Sequence, residues 1–319
     1  MLLITGASGF IGKNLVPELS RHRRIRIMVR RTSNLTWLKR SKNIQIVYGD
    51  IEKNEGLLYA LDGVDTVVHC AARTIGQNFS EYYATNTLGT EHLVRAMEGA
   101  GASRIVLLST HAVCGPTRTK QIVDEHTPPR PVSHYGRSKL LAEHIVRNSG
   151  FKYIILRPVA VYGPHDVDVL KYIRLMNTGL CPVVGLGEKY VNLIHINDLV
   201  RLIIDITHAP AFTNKTYFAH DGHSYSYRTV LNKIAEILEK RIRIIPVPAT
   251  IALMTGLLSD VFMHGSTRTV WRDKVRELAG TSWLCCQDEV RKDFAFVPRY
   301  DLARGMQNTI EWYRSNHLL

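Results

Sequence analysis

The first twelve residues, Met1-Leu-Leu-Ile-Thr5-Gly6-Ala-Ser-Gly9-Phe-Ile-Gly12, constrain the fold more than any other stretch. A short apolar run meets three glycines spaced three apart, and an amphipathic stretch follows over 10–19. That order reads as strand, tight turn, helix. Glycine takes positive φ and lets other backbone come close. A helix starting at such a turn presents unpaired N–H groups and the positive end of its dipole, a seat for an anion such as a pyrophosphate. The spacing G-x-x-G-x-x-G departs from the G-x-G-x-x-G of the most familiar dinucleotide fingerprint. Taken alone, the turn also fits a plain strand-to-helix connection.

The first half of the chain then alternates β-branched runs with amphipathic segments. Strands are expected at Ile25–Val29, 44–47, 65–69, Arg104–Leu108 and 153–156, with helices at 15–21, Leu57–Leu61, 81–98 and 135–147. Near-continuous apolar strands separated by helices imply a parallel sheet covered on both faces. Right-handed crossovers make it a doubly wound α/β fold of the Rossmann type. Ligands in such folds collect at the carboxyl ends of the strands. Segments 6–12, 30–34, 70–73 and 109–115 all follow strand ends, so all four are expected to face one crevice. After Pro158 the pattern changes. Gly163-Pro164 and Leu180-Cys-Pro182 read as loops, 191–196 as a strand, 198–206 as a helix and 216–219 as a last sheet strand. Helices are expected at 227–239, at the unusually apolar 249–263 and at 306–315. The expected organisation is a dinucleotide-binding domain over 1–165 and 190–220, with a smaller, discontinuous substrate domain over 166–189 and 221–319.

Composition narrows the class. With 319 residues, 45% apolar and 22% charged, the chain can bury a sizeable core. Its net charge of +13 would suit anionic partners, but the basic residues are dispersed. The one cluster, Arg21, Arg23, Arg24 and Arg26 with Arg30 and Arg31, lacks any zinc-finger or basic-zipper pattern. It reads as solvated surface, and no nucleic-acid partner is expected. Five cysteines (Cys70, Cys114, Cys181, Cys285, Cys286) without C-x-x-C spacing suggest a reducing, cytoplasmic setting and no metal site. The apolar N-terminus reads as a first strand rather than a signal peptide. The longest apolar run, 242–263, is interrupted by Pro246, Pro248 and Asp260, so no transmembrane segment is expected.

Chemistry concentrates at Tyr135-Gly-Arg-Ser-Lys139, at the start of an expected helix. Residues four apart share a helical face. A free tyrosine titrates near about 10, too high for a good base at neutral pH; a lysine ammonium beside it favours the phenolate. Thr110, at the end of a neighbouring strand, can hydrogen-bond the same carbonyl or alcohol oxygen.

At this point the chain resembles the extended short-chain dehydrogenase/reductases, also called the NAD-dependent epimerase/dehydratase family. The motifs run in family order through nearly the whole chain. They are T-G-x-x-G-x-x-G at positions 5–12, Gly49-Asp50, His69-Cys-Ala-Ala72, Asn86-Thr-Leu-Gly89-Thr90 and Leu108-Ser-Thr110. Then come Tyr135-x-x-x-Lys139, Leu156-Arg-Pro158, Tyr162-Gly-Pro164, His195-Ile-Asn-Asp198 and Trp312-Tyr313. The resemblance implies an enzyme in which Tyr135 exchanges the substrate proton, Lys139 holds the nicotinamide ribose and tunes Tyr135, and Asn86 supports the active-site helix. Thr110 matches the catalytic Ser/Thr position, with Ser109 as close competitor. The cofactor would lie on Gly6, Ser8, Gly9, Phe10, Ile11 and Gly12, with Asp50 and Ile51 at the adenine. Cys70, Ala71, Ala72 and Arg73 would line it, and Ser109, Pro158 and Val161 would join Tyr135 and Lys139 around it. Val159 and Ala160 would meet the substrate, and His111, next to Thr110 at the same crevice, would be a substrate contact or a second acid/base group, the plainer expectation being a polar rim residue.

Two features separate this chain from the family's best-known members. NAD-specific relatives usually carry an acidic residue at the end of the second strand. Here Ile27-Met-Val-Arg30-Arg31-Thr32-Ser33 has none, and an arginine fork suits a phosphate. NADP is therefore expected, contacted by Arg30 with Arg31 and Ser33 assisting, and NAD is the alternative. Sugar-nucleotide relatives also use an asparagine where this chain has Ala160 and an arginine where it has Val191. The expected function is hydride transfer between a nicotinamide cofactor and a compact or apolar alcohol/carbonyl substrate, as in the hydroxysteroid-dehydrogenase and flavanol-reductase branch. A nucleotide-sugar epimerase or dehydratase and an inactive cofactor-binding regulator are the alternatives. The expected partner is a small molecule, with homodimerisation open.

Overall fold

The computed structural model describes residues 1–319 apart from positions 40, 119, 186, 249, 252–267 and 281. The apolar segment expected as a helix over 249–263 therefore lies, except for 250 and 251, outside the described residues. A seven-stranded sheet dominates. Its strands include β1 (Leu2–Thr5), β2 (Ile25–Val29), β3 (Ile44–Tyr48), β4 (Thr66–His69) and β5 (Arg104–Leu108). From one edge the order is Lys215–Ala219, Lys152–Pro158, β5, β4, β1, β2, β3. Neighbours from Lys152–Pro158 to β3 all pair in parallel, as doubly wound crossovers require. Every residue of β1, β2 and β4 is buried, so both faces of the sheet centre are covered. Thr5 lies level with Met28 on one side and His69 on the other, which aligns the carboxyl ends of β1, β2 and β4.

The connecting helices begin with α1 (Phe10–His22) and α2 (Leu57–Leu61). The helix expected over 81–98 is divided: α3 (Phe79–Tyr82) passes through a π-helical turn, Tyr83–Leu88, into α4 (Gly89–Ala100). Such turns widen a helix locally and often mark functional positions, and Asn86 sits in this one. α5 (His134–Arg147) carries Tyr135 and Lys139. Arg26 departs from the solvated basic surface expected of its cluster. It is buried, and its Nη1 donates to the carbonyls of Ala60 at 2.9 Å and Asp62 at 2.6 Å. It thereby satisfies carbonyls that α2 leaves unpaired at its C-terminus.

The chain divides into two compact units. One comprises Met1–Thr110, Arg137–Arg157 and Val200–Tyr217; the other comprises His111–Gly136, Pro158–Leu199 and Phe218–Leu319. The core of the first packs Leu3, Val67, Leu93, Met97, Ile105 and Ala142. That of the second packs Tyr162, Ile173, Val191, Leu231, Ile310 and Tyr313. Two expectations in the second unit need correction. Leu180–Val184 is a strand, not a loop, and pairs in parallel with Arg243–Val247. Each strand of a two-stranded sheet is an edge strand, the setting in which a proline such as Pro182 is tolerated, because outward-facing N–H positions make no ladder bond. The strand expected over 191–196 breaks at Asn192. That side chain donates to His223 O at 2.6 Å and accepts from Cys285 N at 2.8 Å, separating Tyr190–Val191 from Leu193–His195.

Candidate active site

The three glycines of the opening turn have different physical reasons. Gly6 has φ +72°, and a Cβ there would sit 2.4 Å from Ala71 N, so the turn presses against the end of β4. A Cβ on Gly12 would sit 2.4 Å from Gly6 O, which seats α1 directly on the turn. Gly9 is different: its Cβ would meet only Gly6 O, at 3.3 Å. Gly9 is therefore confined on one side by a backbone oxygen and open on the other. Gly9 is also the N-cap of α1; it offers no side-chain cap, and no acidic residue occupies the first turn. The donors that open every helix are thus left for something outside the helix.

That opening belongs to a cleft of about 420 Å³ at the carboxyl ends of the strands. Gly6, Ser8 and Gly9 line it from the turn, Arg30 and Ser33 from beyond β2, Asp50 and Ile51 from beyond β3, and Cys70, Ala71, Ala72 and Arg73 from beyond β4. Three of the four segments expected to share a crevice therefore do so. The fourth, 109–115, contributes nothing to this lining. Phe10, Ile11 and Gly12 form the first turn of α1 and do not line the cleft either. Tyr135, Lys139, Pro158 and Val161 also lie outside its lining. Arg31 does not line the cleft, and its guanidinium lies 5.2 Å from the Tyr48 ring centroid. Asp50 Oδ1 accepts from Glu52 N at 2.9 Å and steadies its own loop.

Arg73 is held twice. Its backbone N–H donates to Asn86 Oδ1 at 2.7 Å, while Asn86 Nδ2 donates to Arg73 O at 3.0 Å and to Ser138 Oγ at 2.9 Å. Asn86 is fully buried and pins the end of the β4 loop to α5. The Arg73 side chain pairs with Glu52 at 3.6 Å and Glu81 at 3.4 Å, all three about one-third exposed. Such pairs contribute at most about 1 kcal/mol, so the backbone clamp dominates. Beneath it runs a buried chain. Thr5 Oγ1 meets His69 Nδ1 at 2.6 Å, His69 Nε2 meets Thr90 Oγ1 at 3.0 Å, and Thr90 Oγ1 donates to Asn86 O at 2.6 Å. Since the Thr90 proton goes to Asn86 O, His69 carries its proton on Nε2 and accepts from Thr5 on Nδ1. Burial, reinforced by the Lys139 charge, pulls the His69 pKa down to about 3, so the ring is neutral.

On α5, Tyr135 is half-buried and Lys139 is 1% exposed. Burial pulls the Lys139 ammonium down to about 8, opposed by the Glu143 carboxylate. Glu143, a further four residues on, is fully buried. It accepts from Arg157 Nε at 2.9 Å, Arg157 Nη2 at 2.7 Å, Arg147 Nη2 at 2.9 Å and Ser109 Oγ at 2.5 Å. Ser109 thus commits its proton to Glu143. Thr110 follows, half-buried, at the end of β5. His111 is turned inward rather than lying at a rim: it is 4% exposed, edge-on to Phe218 at 5.3 Å and Trp283 at 5.6 Å. Val159 and Pro158 are buried, Val161 half-buried and Ala160 exposed. Burial raises the Cys70 thiol to about 12, so it is no nucleophile. Among the described residues no cluster of His, Cys, Asp and Glu is placed to hold a metal, and no helix is long and apolar enough to cross a membrane. Glu143, Ser138 and Arg157 were not singled out from sequence as site residues. The readable signal was an acidic residue on the buried face of α5, beside Ala142 and Val146.

The family model described as the NAD dependent epimerase/dehydratase family matches residues 2–217. The chain belongs to that family. Within it, a UDP-glucose 4-epimerase from Vibrio cholerae is 29% identical over 268 residues, covering 77% of this chain and 78% of the epimerase. A ceramide reductase from Caulobacter vibrioides is 26% identical over 323 residues, covering 99% of this chain and 95% of the reductase. Among solved structures, MoeE5 in complex with UDP-glucuronic acid and NAD matches with TM-score 0.79 and 25% identity, over 99% of both chains. The epimerase/dehydratase family thus holds both sugar-nucleotide enzymes and a reductase similar to this chain.

Proposed function

We propose that this chain is an NAD(P)-dependent oxidoreductase acting on the alcohol or carbonyl carbon of an apolar, non-nucleotide substrate. Val191 carries the reading. At the position where sugar-nucleotide relatives place an arginine for the diphosphate, this chain packs a valine, 7% exposed, into the core of its second unit. Ala160, in place of their asparagine, offers no side-chain hydrogen bond. On the helix Val167–Asn177, Lys171 forms an exposed pair with Asp168 at 3.1 Å, and Arg174 Nε donates to Leu318 O at 2.9 Å. A diphosphate left unpaired in a partly dry site is costly. The similarity to a ceramide reductase over nearly its whole length supports the same reading.

The residues fit a dinucleotide. The open side of Gly9 and the uncapped start of α1 suit a pyrophosphate, Asp50 and Ile51 suit an adenine, and small Ala71 and Ala72 leave room along the cleft. When bound, the nicotinamide supplies the hydride donor or acceptor. Tyr135 gives its phenolic proton to the carbonyl oxygen in reduction and takes it back in oxidation. Lys139, kept charged with help from Glu143, favours the phenolate. Thr110 is the second hydroxyl, because Ser109 is bonded to Glu143. Asn86 holds the β4 loop against α5 for both.

The cofactor is read as NADP(H). Arg30 lines the cleft, Ser33 bonds Ser8 at 3.4 Å, and Arg31 is occupied by Tyr48. NADPH should therefore bind more tightly than NADH. Arg30→Ala should cost NADPH about tenfold or more, the size of a charge-assisted hydrogen bond, while NADH affinity stays unchanged. Arg31→Ala should leave the preference in place. Calorimetric titration of both cofactors checks this, and equal or tighter NADH binding by the wild type sinks the NADP assignment.

The second reading, a sugar-nucleotide epimerase or dehydratase, draws on the Vibrio cholerae relative and on MoeE5. One experiment separates the two. Apolar ketones and secondary alcohols are screened by nicotinamide absorbance, and UDP-, GDP- and dTDP-sugars are titrated against the cofactor-loaded enzyme. Turnover of apolar carbonyl compounds without sugar-nucleotide binding is expected; micromolar, competitive binding of any of the sugars would replace this reading with the second.

A further inference from the structure

The N-terminal turn of α5 is gripped by a helix from far along the chain. His134 N donates to Asp273 Oδ1 at 2.7 Å, and Tyr135 N donates to Asp273 Oδ2 at 3.2 Å, across 139 and 138 positions of sequence. One turn further along the same helix (Arg268–Ala279), Glu277 Oε1 accepts from Ser133 Oγ at 2.7 Å. Ser133 in turn accepts from Gly136 N at 3.0 Å. Behind the turn, a Cβ on Gly136 would sit 2.5 Å from Ala112 O and 3.0 Å from Pro131 Cβ, so the peptide is also closely seated on that side. All of these residues belong to one compact unit.

This is more than a helix needs. A side-chain acceptor at the N-cap satisfies one of the opening donors, and Ser133 already does so. The N–H groups of the first two helical residues commonly go to water. Here they go to a carboxylate that is 4% exposed, and burying a carboxylate is costly unless it is well bonded. The two backbone donors and the positive end of the helix dipole offset that cost. In return, the peptide that carries Tyr135 is fixed at the residue itself.

We propose that Asp273 is a positioning residue for Tyr135: its two hydrogen bonds set the backbone from which the phenol reaches the reacting oxygen. The inference rests on Tyr135 being the acid–base residue. Catalysis is sensitive to displacements of about 1 Å, which cost on the order of 100-fold, whereas substrate and cofactor affinity need not change.

The test compares Asp273→Asn, Asp273→Glu and Glu277→Gln in the cofactor-loaded enzyme, with melting temperatures measured for each and kinetics taken where all are folded. Asparagine keeps one acceptor oxygen and loses the charge. Asp273→Asn should lower kcat about 10- to 100-fold and leave substrate KM and cofactor Kd as they were, the signature of an interaction made only in the transition state. Asp273→Glu restores the charge and should fall between Asp273→Asn and wild type. Glu277→Gln leaves both Asp273 hydrogen bonds to the α5 backbone in place and should keep kcat. The proposal is overturned if Asp273→Asn turns over at the wild-type rate, or if its loss matches that of Glu277→Gln at equal folded fraction. Should Asp273→Asn not fold, wild-type kcat in Asp273→Glu overturns it. A Tyr135→Phe control separates the two levels. If that variant stays active, the acid–base reading has failed; if it is dead while Asp273→Asn is fully active, only the positioning role has failed.

Discussion

Tyr135→Phe should reduce kcat by on the order of 10³-fold, the usual contribution of a positioned general acid–base, while leaving cofactor affinity nearly unchanged. The substitution removes one hydroxyl and preserves the ring, so it deletes the proposed proton path and little else. Tyr135 is half-buried at the second position of α5, with its backbone N–H on Asp273 and Lys139 one turn below. Lys139 is itself 1% exposed, and burial pulls it down to about 8, so at neutral pH it remains charged and able to favour the phenolate. Steady-state turnover with any substrate found by the carbonyl screen, beside fluorescence titration of the cofactor, checks both halves. A variant that keeps most of its turnover shows that the proton comes from elsewhere, whereas one that loses cofactor binding in parallel shows that Tyr135 acts mainly as a wall of the cofactor site.

The parts of this fold that were legible in the sequence are those set by short-range pattern. The glycine turn placed β1 and α1, and alternating β-branched runs placed β2 to β5 within a residue or two. The strand ends then brought Gly6, Arg30, Asp50 and Ala71 to one cleft. What the pattern hid was set by single polar side chains bonding across the chain. The π turn at Asn86 keeps a helical spacing of apolar residues, so nothing local announces that Asn86 points to Arg73 and Ser138. Asn192 interrupts a run that otherwise reads as one strand. Ser109 and Thr110 are adjacent hydroxyls with equal claims until Glu143 is seen to take the first. Asp273 carries no local mark at all, because the peptide it holds lies in another part of the sequence.

The largest stability effect should follow from Glu143→Gln. Glu143 and Arg157 are 0% and 2% exposed and share two hydrogen bonds, of 2.9 and 2.7 Å. Burial alone would push the carboxyl up, but the hydrogen bond and charge of Arg157, with Ser109 and Arg147, outweigh it and hold the carboxyl below its ordinary value. A depressed carboxyl stabilises the fold above its unfolded value, 4.5, and that contribution fades as pH falls through the lower folded value. Glutamine removes the charge at every pH and leaves the Arg157 guanidinium buried without a counter-ion, which costs about 3–5 kcal/mol. Urea unfolding at pH 7 should show that loss, and the loss should shrink toward zero as the wild type is acidified. Glu143→Gln combined with Arg157→Met should be less destabilised than the sum of the single changes, because the stranded charge is gone. A single-variant loss under about 1 kcal/mol would place the pair among ordinary surface ion pairs. The carboxylate would then matter to this enzyme chiefly through the charge it lends to Lys139.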